Sequence, residues 1–251
     1  MSEVNKIFNI NTEQEFNEVS LEIFRYQYTN NTIYQSFCNY LNINANSINM
    51  SERDHIVWTS NLVLNSIKSG NFEEQITFYS SGTTGQNQSK HFVKELSVYE
   101  KSYNQAFKQF YGNIEDYCVL ALLPSYMERE GSSLIYMMDD LIKTSKHPKS
   151  GFFLKNEEFL IENLQFLTKN KQKTMLFGVS FALLDLAEKY EINLSDVIVM
   201  ETGGMKGRRE ELTRQELHSI YKKSFNVKHI HSEYGMTELL SQAYSKGNGI
   251  F

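Results

Sequence analysis

Three short polar stretches hold the side chains best suited to chemistry. The first is Ser80-Ser81-Gly82-Thr83-Thr84-Gly85, with Lys90 five residues beyond. Glycines at 82 and 85 admit backbone conformations closed to other residues, so amide hydrogens can converge on an anion. The serine and threonine hydroxyls add donors, and the lysine adds a mobile positive charge suited to phosphate. The stretch is not a Walker A loop, because the fifth position after Gly82 is Asn87 and no glycine-lysine pair follows. Taken alone, it fits a phosphate clamp and a solvated surface loop equally. The second stretch is Tyr234-Gly235-Met236-Thr237-Glu238. It joins a ring able to stack on a purine, a hydroxyl able to donate to a phosphate, and a carboxylate able to hold magnesium. Its plainer reading is a capped helix start, with Thr237 and Glu238 complementing the dipole of the first turn. The third is Gly203-Gly204, which closes the apolar run "VIVMET".

Regular elements must position these stretches. From Glu13 to Leu41 the apolar residues recur at helical spacing, and "YTNNT" at 28–32 divides the segment into two helices. "QITFYS" reads as a strand, 96–111 as a helix, and "DYCVLALLP" as a buried strand stopped by Pro124. Helices follow at 131–144 and in "KNEEFLIENLQFLTKN". Then come the strand "QKTMLFGVS", the helix "FALLDLAEKY" and the strand "LSDVIVMETGG". An amphipathic helix spans 207–225, and a short strand, "NVKHIHSEYG", leads through a tight turn into a helix. Strand, polar loop and helix in alternation specify a layered α/β domain. Ligands of such folds collect at the carboxyl ends of strands, where the loops 80–90, 202–207 and 232–238 all fall. The expected organisation is an N-terminal helical region, 1–76, packed on an α/β core, 77–251.

Composition excludes several classes. A net charge of −5 argues against a nucleic-acid binder held by bulk electrostatics. The amino-terminal residues show no basic start and no apolar core, so they do not read as a signal peptide. No apolar run approaches the roughly 18 residues that span a membrane. Cys38 and Cys118 have neither metal-ligand spacing nor a secreted-type framework, which fits reduced thiols and a cytoplasmic location.

Taken together, "SSGTTG", "VIVMETGGM" and "YGMTE" resemble the adenylate-forming superfamily of acyl-CoA synthetases, nonribosomal adenylation domains and luciferases. Within it, "SSGTTGQNQSKHF", "LLPSYMEREGSSLIYMMDDLI" and "HIHSEYGMTELLSQAYS" look most like the acyl-protein synthetase (LuxE-like) family. The resemblance implies ATP and magnesium as cofactors. A carboxylic acid, fatty in the LuxE-like case, is activated as its acyl-adenylate. Transfer then follows to a thiol of coenzyme A, an acyl carrier protein or a partner-protein cysteine. It implies that Ser80, Ser81, Gly82, Thr83, Thr84 and Gly85 grip the β- and γ-phosphates with Lys90. It further implies that Gly203 and Gly204 line the adenine face, that Tyr234 stacks on the ring, and that Gly235 and Met236 border the adenylate. Thr237 would contact the α-phosphate and Glu238 would ligate magnesium. By analogy, Tyr126, Ser132 and Ser133 border the acyl pocket.

The sequence departs from the superfamily pattern in two places. The loop lysine usually follows the last glycine by three residues, behind a proline, whereas Lys90 follows Gly85 by five and no proline precedes it. Phe251 lies thirteen residues past Glu238, so the ribose-binding aspartate, the hinge and the small C-terminal lid of such enzymes are expected to be missing here: either the chain is a fragment, or those parts come from elsewhere, or full activity is absent. Two other classes compete. A kinase-like phosphotransferase would release ADP, but neither a Walker A loop nor the protein-kinase signatures are present. A non-catalytic nucleotide-binding partner subunit of an acyl-transfer complex would keep the nucleotide loops without the full catalytic set.

Overall fold

The computed structural model of the chain describes residues 6–43, 68–79, 89–124, 131–205, 207–247 and 249–251. The chain divides into two compact units. One comprises Met1–Thr77 with Ser89–Val98, the other Phe78–Gln88 with Tyr99–Phe251.

In the first unit, α1 (Glu13–Asn30) begins at a capping box. Thr12 accepts from the Glu15 amide while the Glu15 carboxylate accepts from the Thr12 amide, which satisfies two orphan donors reciprocally. Asn31 ends this helix and caps the next, α2 (Thr32–Tyr40), by accepting from the Tyr34 amide. The break falls within the polar interruption at 28–32. Leu21, Phe24, Tyr34 and Cys38 form the small core between the two helices. The strands β1 (Ile76–Tyr79) and β2 (Lys90–Val93) make a separate two-stranded sheet. Lys90 is thus a strand residue, and it is exposed. The long helix α3 (Leu96–Tyr111) carries the chain into the second unit.

The second unit is built on a six-stranded sheet. Its strands are β3 (Cys118–Leu122), β4 (Gly151–Phe152), β5 (Thr174–Val179), β6 (Val197–Thr202), β7 (His231–Met236) and β8 (Ser241–Ser245). Their spatial order is β4-β3-β5-β6-β7-β8, parallel throughout except for the antiparallel last pair. Every residue of β3 and β5 is buried, as expected for parallel strands covered on both faces. Between the strands run α4 (Ser133–Ser145), α5 (Glu157–Lys169), α6 (Ser180–Lys189) and α7 (Arg214–Phe225). The connection from β3 to β4 runs one way across the sheet, and those from β5 to β6 to β7 run the other. Right-handed crossovers therefore place α4 on one face and α6 and α7 on the opposite face. Side chains agree with this layering. Tyr103 of α3 donates to Asp140 of α4 (2.7 Å), and Lys189 of α6 pairs with Glu157 of α5 (2.8 Å). The reversal of direction between β3 and β5 opens a crevice at their carboxyl ends.

Two expectations change here. The helix read over 207–225 begins only at Arg214, because Thr213 and Glu216 close a capping box there. The turn after Tyr234-Gly235 does not open a helix. A single 3-10 turn, Thr237–Leu239, precedes Leu240 in the left-handed region (φ 48), and the chain returns as β8. The extended residues 241–245 pair with β7 from Ser232↔Ser245 to Met236↔Ser241, so ladder hydrogen bonds replace the helix.

Candidate functional site

β6 and β7 lie side by side in parallel register, with Glu201 opposite Ser232 and Thr202 opposite Glu233. Side chains alternate across a strand, so these two pairs point to opposite faces of the sheet. Glu201 faces α6 and α7. There it accepts from Ser180 Oγ (2.7 Å) and meets His218 Nε2 (2.8 Å), while Tyr221 donates to the Ser180 carbonyl (2.7 Å). Glu233 takes the face of α3 and α4. It accepts hydrogen bonds from the Thr202 hydroxyl and the Gln242 amide.

A cavity of about 390 Å³ opens where the strands end. Leu123 and Pro124 after β3, Val179 of β5, and Thr202 with Gly203 of β6 contribute to its lining. So do Glu233, Tyr234, Gly235 and Thr237 of the β7 hairpin, together with Gln242 of β8. The first turn of α4 enters from above. Ser132 caps that helix by accepting from the Ile135 amide, and the Ser133 hydroxyl lies 2.7 Å from that of Thr237. Arg214, the first residue of α7, and Phe251 complete one rim. The Phe251 ring meets Tyr234 edge-on at 5.9 Å, and the Arg214 guanidinium stands 5.6 Å from the Phe251 centroid.

Gly235 has a specific reason to be glycine. A β-carbon there would stand 2.7 Å from Gln242 Oε1 and 2.8 Å from Glu233 Oε1. Real β-carbons do not approach oxygen so closely, so the Gln242–Glu233 hydrogen bond needs the empty position. Gly203 turns the chain out of β6 at φ 70, a conformation other residues adopt at a cost.

Burial, and then the Glu233 charge, hold the Tyr99 phenol above its usual range, and Tyr99 donates to the Ser133 carbonyl (3.1 Å). Burial, with the same charge adding to it, raises Tyr244 well above normal. Neither cysteine is a candidate nucleophile. Both are buried, and desolvation pushes the Cys118 thiol up to about 11.

The structure brings Ser132, Ser133, Gly203, Tyr234, Gly235 and Thr237 onto one cavity. Gly204, Met236 and Glu238 adjoin those residues in sequence but lie outside the lining, with Met236 and Glu238 half-buried. Ser80, Ser81, Gly82, Thr83, Thr84, Gly85 and Tyr126 lie outside the described residues. Tyr79, immediately before Ser80, does line the cavity, and its amide donates to the Gly131 carbonyl (2.8 Å). Sequence reasoning missed Thr202, Arg214, Glu233 and Gln242 as lining residues, and missed the Glu201–His218 contact. A usable signal was present for Glu201 alone, because an acid inside an apolar run such as "VIVMET" is costly to bury without a purpose.

Among the described residues no group of three or more His, Cys, Asp or Glu could hold a metal ion. None of their helices is long and apolar enough to cross a membrane. A scan against protein-family models and a search of curated proteins each find no match. Among solved structures, the chain is similar to O-succinylbenzoate coenzyme A synthetase (MenE) from Bacillus subtilis in complex with ATP and magnesium ion, at 19% identity and a TM-score of 0.43. The same enzyme in complex with AMP matches at 18% identity and the same TM-score. In both, 80% of this chain is covered, and the chain spans 40% of the length of the one it matches.

Proposed function

We propose that this chain is the core of an adenylate-forming enzyme, which activates a carboxylic acid with ATP. The observation that carries this reading is the convergence of Gly203, Tyr234, Gly235 and Thr237 with Ser132 and Ser133 on one cavity at the strand ends. These residues come from three stretches far apart in sequence. In the reaction a carboxylate attacks the α-phosphorus of ATP, pyrophosphate leaves, and the acyl-adenylate passes its acyl group to a thiol. The thiol belongs to coenzyme A, an acyl carrier protein or a partner-protein cysteine.

Such chemistry asks a protein for in-line positioning and charge neutralisation rather than acid–base groups. The residues present fit ATP and magnesium. Tyr234 is 55% exposed, leaving a ring face for a purine, and Gly203 lines the same cavity. The Ser133 and Thr237 hydroxyls offer donors for phosphate oxygens at the start of α4, whose N-terminal dipole favours negative charge. Magnesium keeps most of its oxygen ligands from water and phosphate, so one carboxylate would suffice, and Glu238, half-buried next to the cavity residue Thr237, would take that role. When bound, the ion neutralises phosphate charge. Lys90 and the Ser80–Gly85 loop hold the outer phosphates on this reading, and a fatty acid is the acid that the LuxE-like resemblance favours.

The decisive experiment is carboxylate-dependent exchange of labelled pyrophosphate into ATP. Exchange is expected with one class of acid, reduced roughly 10²-fold in Thr237→Ala, Glu238→Gln and Lys90→Ala. ATP binding without exchange would favour a nucleotide-binding partner subunit. Failure to bind ATP at all would refute the reading.

A further inference from the structure

Arg214 is the only cation among the described residues that line the cavity. No carboxylate among them pairs with it, and no hydrogen bond engages its guanidinium. Glu216, two residues on, turns back to the Thr213 amide and hydroxyl (2.9 and 2.7 Å). Glu233, the one carboxylate in the lining, is engaged with Thr202 and Gln242. A planar fork of donors therefore stands at the cavity without an internal acceptor.

Helix stability does not explain this residue. Arg214 opens α7, where the helix dipole disfavours a positive charge. The rest of α7 follows the dipole, with Glu216 in its first turn and Lys222 and Lys223 in its last. Packing nonetheless holds the side chain in place. Its guanidinium stands 5.6 Å from the Phe251 centroid, and a β-carbon on Gly249 would come within 2.8 Å of Nη1. Gly249, at φ 69, thus both makes its turn and leaves room for the arginine. A guanidinium held this way has already given up part of its rotamer freedom, which lowers the cost of binding. The Phe251 ring in turn meets Tyr234, so the arginine serves the Tyr234 end of the cavity.

We infer that Arg214 is an oxyanion-binding residue of this cavity, pairing through its fork with a carboxylate or phosphate of the ligand that enters. Two parallel N–H···O bonds to either group suit the guanidinium. The assignment rests on the proposed reading of the site, in which the oxyanion is the carboxylate of the acid or the α-phosphate of the nucleotide. A ligand with neither group leaves the guanidinium in water and gains nothing from it.

The test is calorimetric and uses two matched pairs, AMP against adenosine and a straight-chain acid against the alcohol of the same length. Wild type is compared with Arg214→Gln and Arg214→Lys. Arg214 is exposed and makes no hydrogen bond, so both variants should keep the wild-type circular dichroism and unfolding midpoint. One anionic ligand should bind Arg214→Gln at least about tenfold more weakly than wild type, with any binding of its neutral partner unchanged. Lysine should recover part of that loss, since it keeps the charge but not the fork. A loss for AMP identifies the phosphate, and a loss for the acid identifies the carboxylate. Wild-type affinity of Arg214→Gln for both anions overturns the inference, as does an equal loss for the neutral partners. A wild type that binds neither anion overturns it as well. Pyrophosphate exchange judges adenylation separately. Exchange that Arg214→Gln leaves unaffected, with both anions still bound, sinks the inference alone, and a selective loss without any exchange sinks adenylation alone.

Discussion

Glu201 and Glu233 sit on adjacent strands and are almost equally buried, at 7% and 8% exposure. Their surroundings differ because successive strand residues face opposite sides of a sheet. Glu201 lies beneath two helices, where Ser180 and His218 take its two oxygens and neither it nor His218 lines the cavity. Glu233 is held by hydroxyl and amide donors at the wall of a space large enough for a ligand. Burial of a carboxylate therefore does not by itself mark a functional site. One such group ties two helices to the sheet, and the other ties β6 and β8 to β7 beside a cavity. Ser180 joins the two regions loosely, since its hydroxyl also lies 3.4 Å from the carbonyl of Gly203 on the cavity rim.

The comparison can be broken most forcefully at Glu201. Glu201→Ala strands the buried donors of Ser180 and His218, and should cost about 3 kcal/mol in denaturant unfolding. Glu233→Gln keeps an acceptor and its shape, and should cost about 1 kcal/mol or less. Similar losses from both would dissolve the distinction. Gly235→Ala comes next. The added methyl must displace Gln242 or Glu233, with an expected cost of about 2 kcal/mol. A loss matching that of Gln242→Leu would trace the cost to the Gln242–Glu233 hydrogen bond, whereas an unchanged unfolding midpoint would show the contact to be idle.

A smaller effect sharpens the cavity side. A double-mutant cycle of Ser133→Ala and Thr237→Val should give a coupling of about 1 kcal/mol, and additivity would mean the 2.7 Å contact contributes nothing. A pH-dependent effect removes a confounding titration. Burial, then the charges of His229 and Lys246, lower the His231 pKa to about 4. The unfolded chain binds this proton near pH 6.5 and the folded chain only near 4. Stability from this group is present above about 6.5 and is lost as pH falls through that window. His231→Gln should flatten the unfolding midpoint between those values, and an unchanged pH profile would refute the assignment.

Much of the local structure was legible in the residues. Continuous apolar runs located β3, β5 and β6, and α3 falls where helical spacing put it, at 96–111. The start of α7 was misjudged because "GRREEL" has acceptable helix propensity, and only the Thr213–Glu216 cap selects the starting turn. The hairpin was misjudged for a non-local reason. Ser241–Ser245 has weak intrinsic preference, and pairing with the exposed edge of β7 decided its conformation.

The sequence by itself determined the alternation of strands and helices, the helix caps and the polar stretches at strand ends. All of these depend on interactions within a few residues, so they can be read from spacing. Only the tertiary structure decided that Ser133 would meet Thr237 across 104 residues, and that Gln242 would reach Glu233 over the empty side of Gly235. It also decided which of two neighbouring glutamates would face a cavity. Those outcomes depend on register, sheet face and crossover hand, which bring distant residues together and which no local pattern encodes.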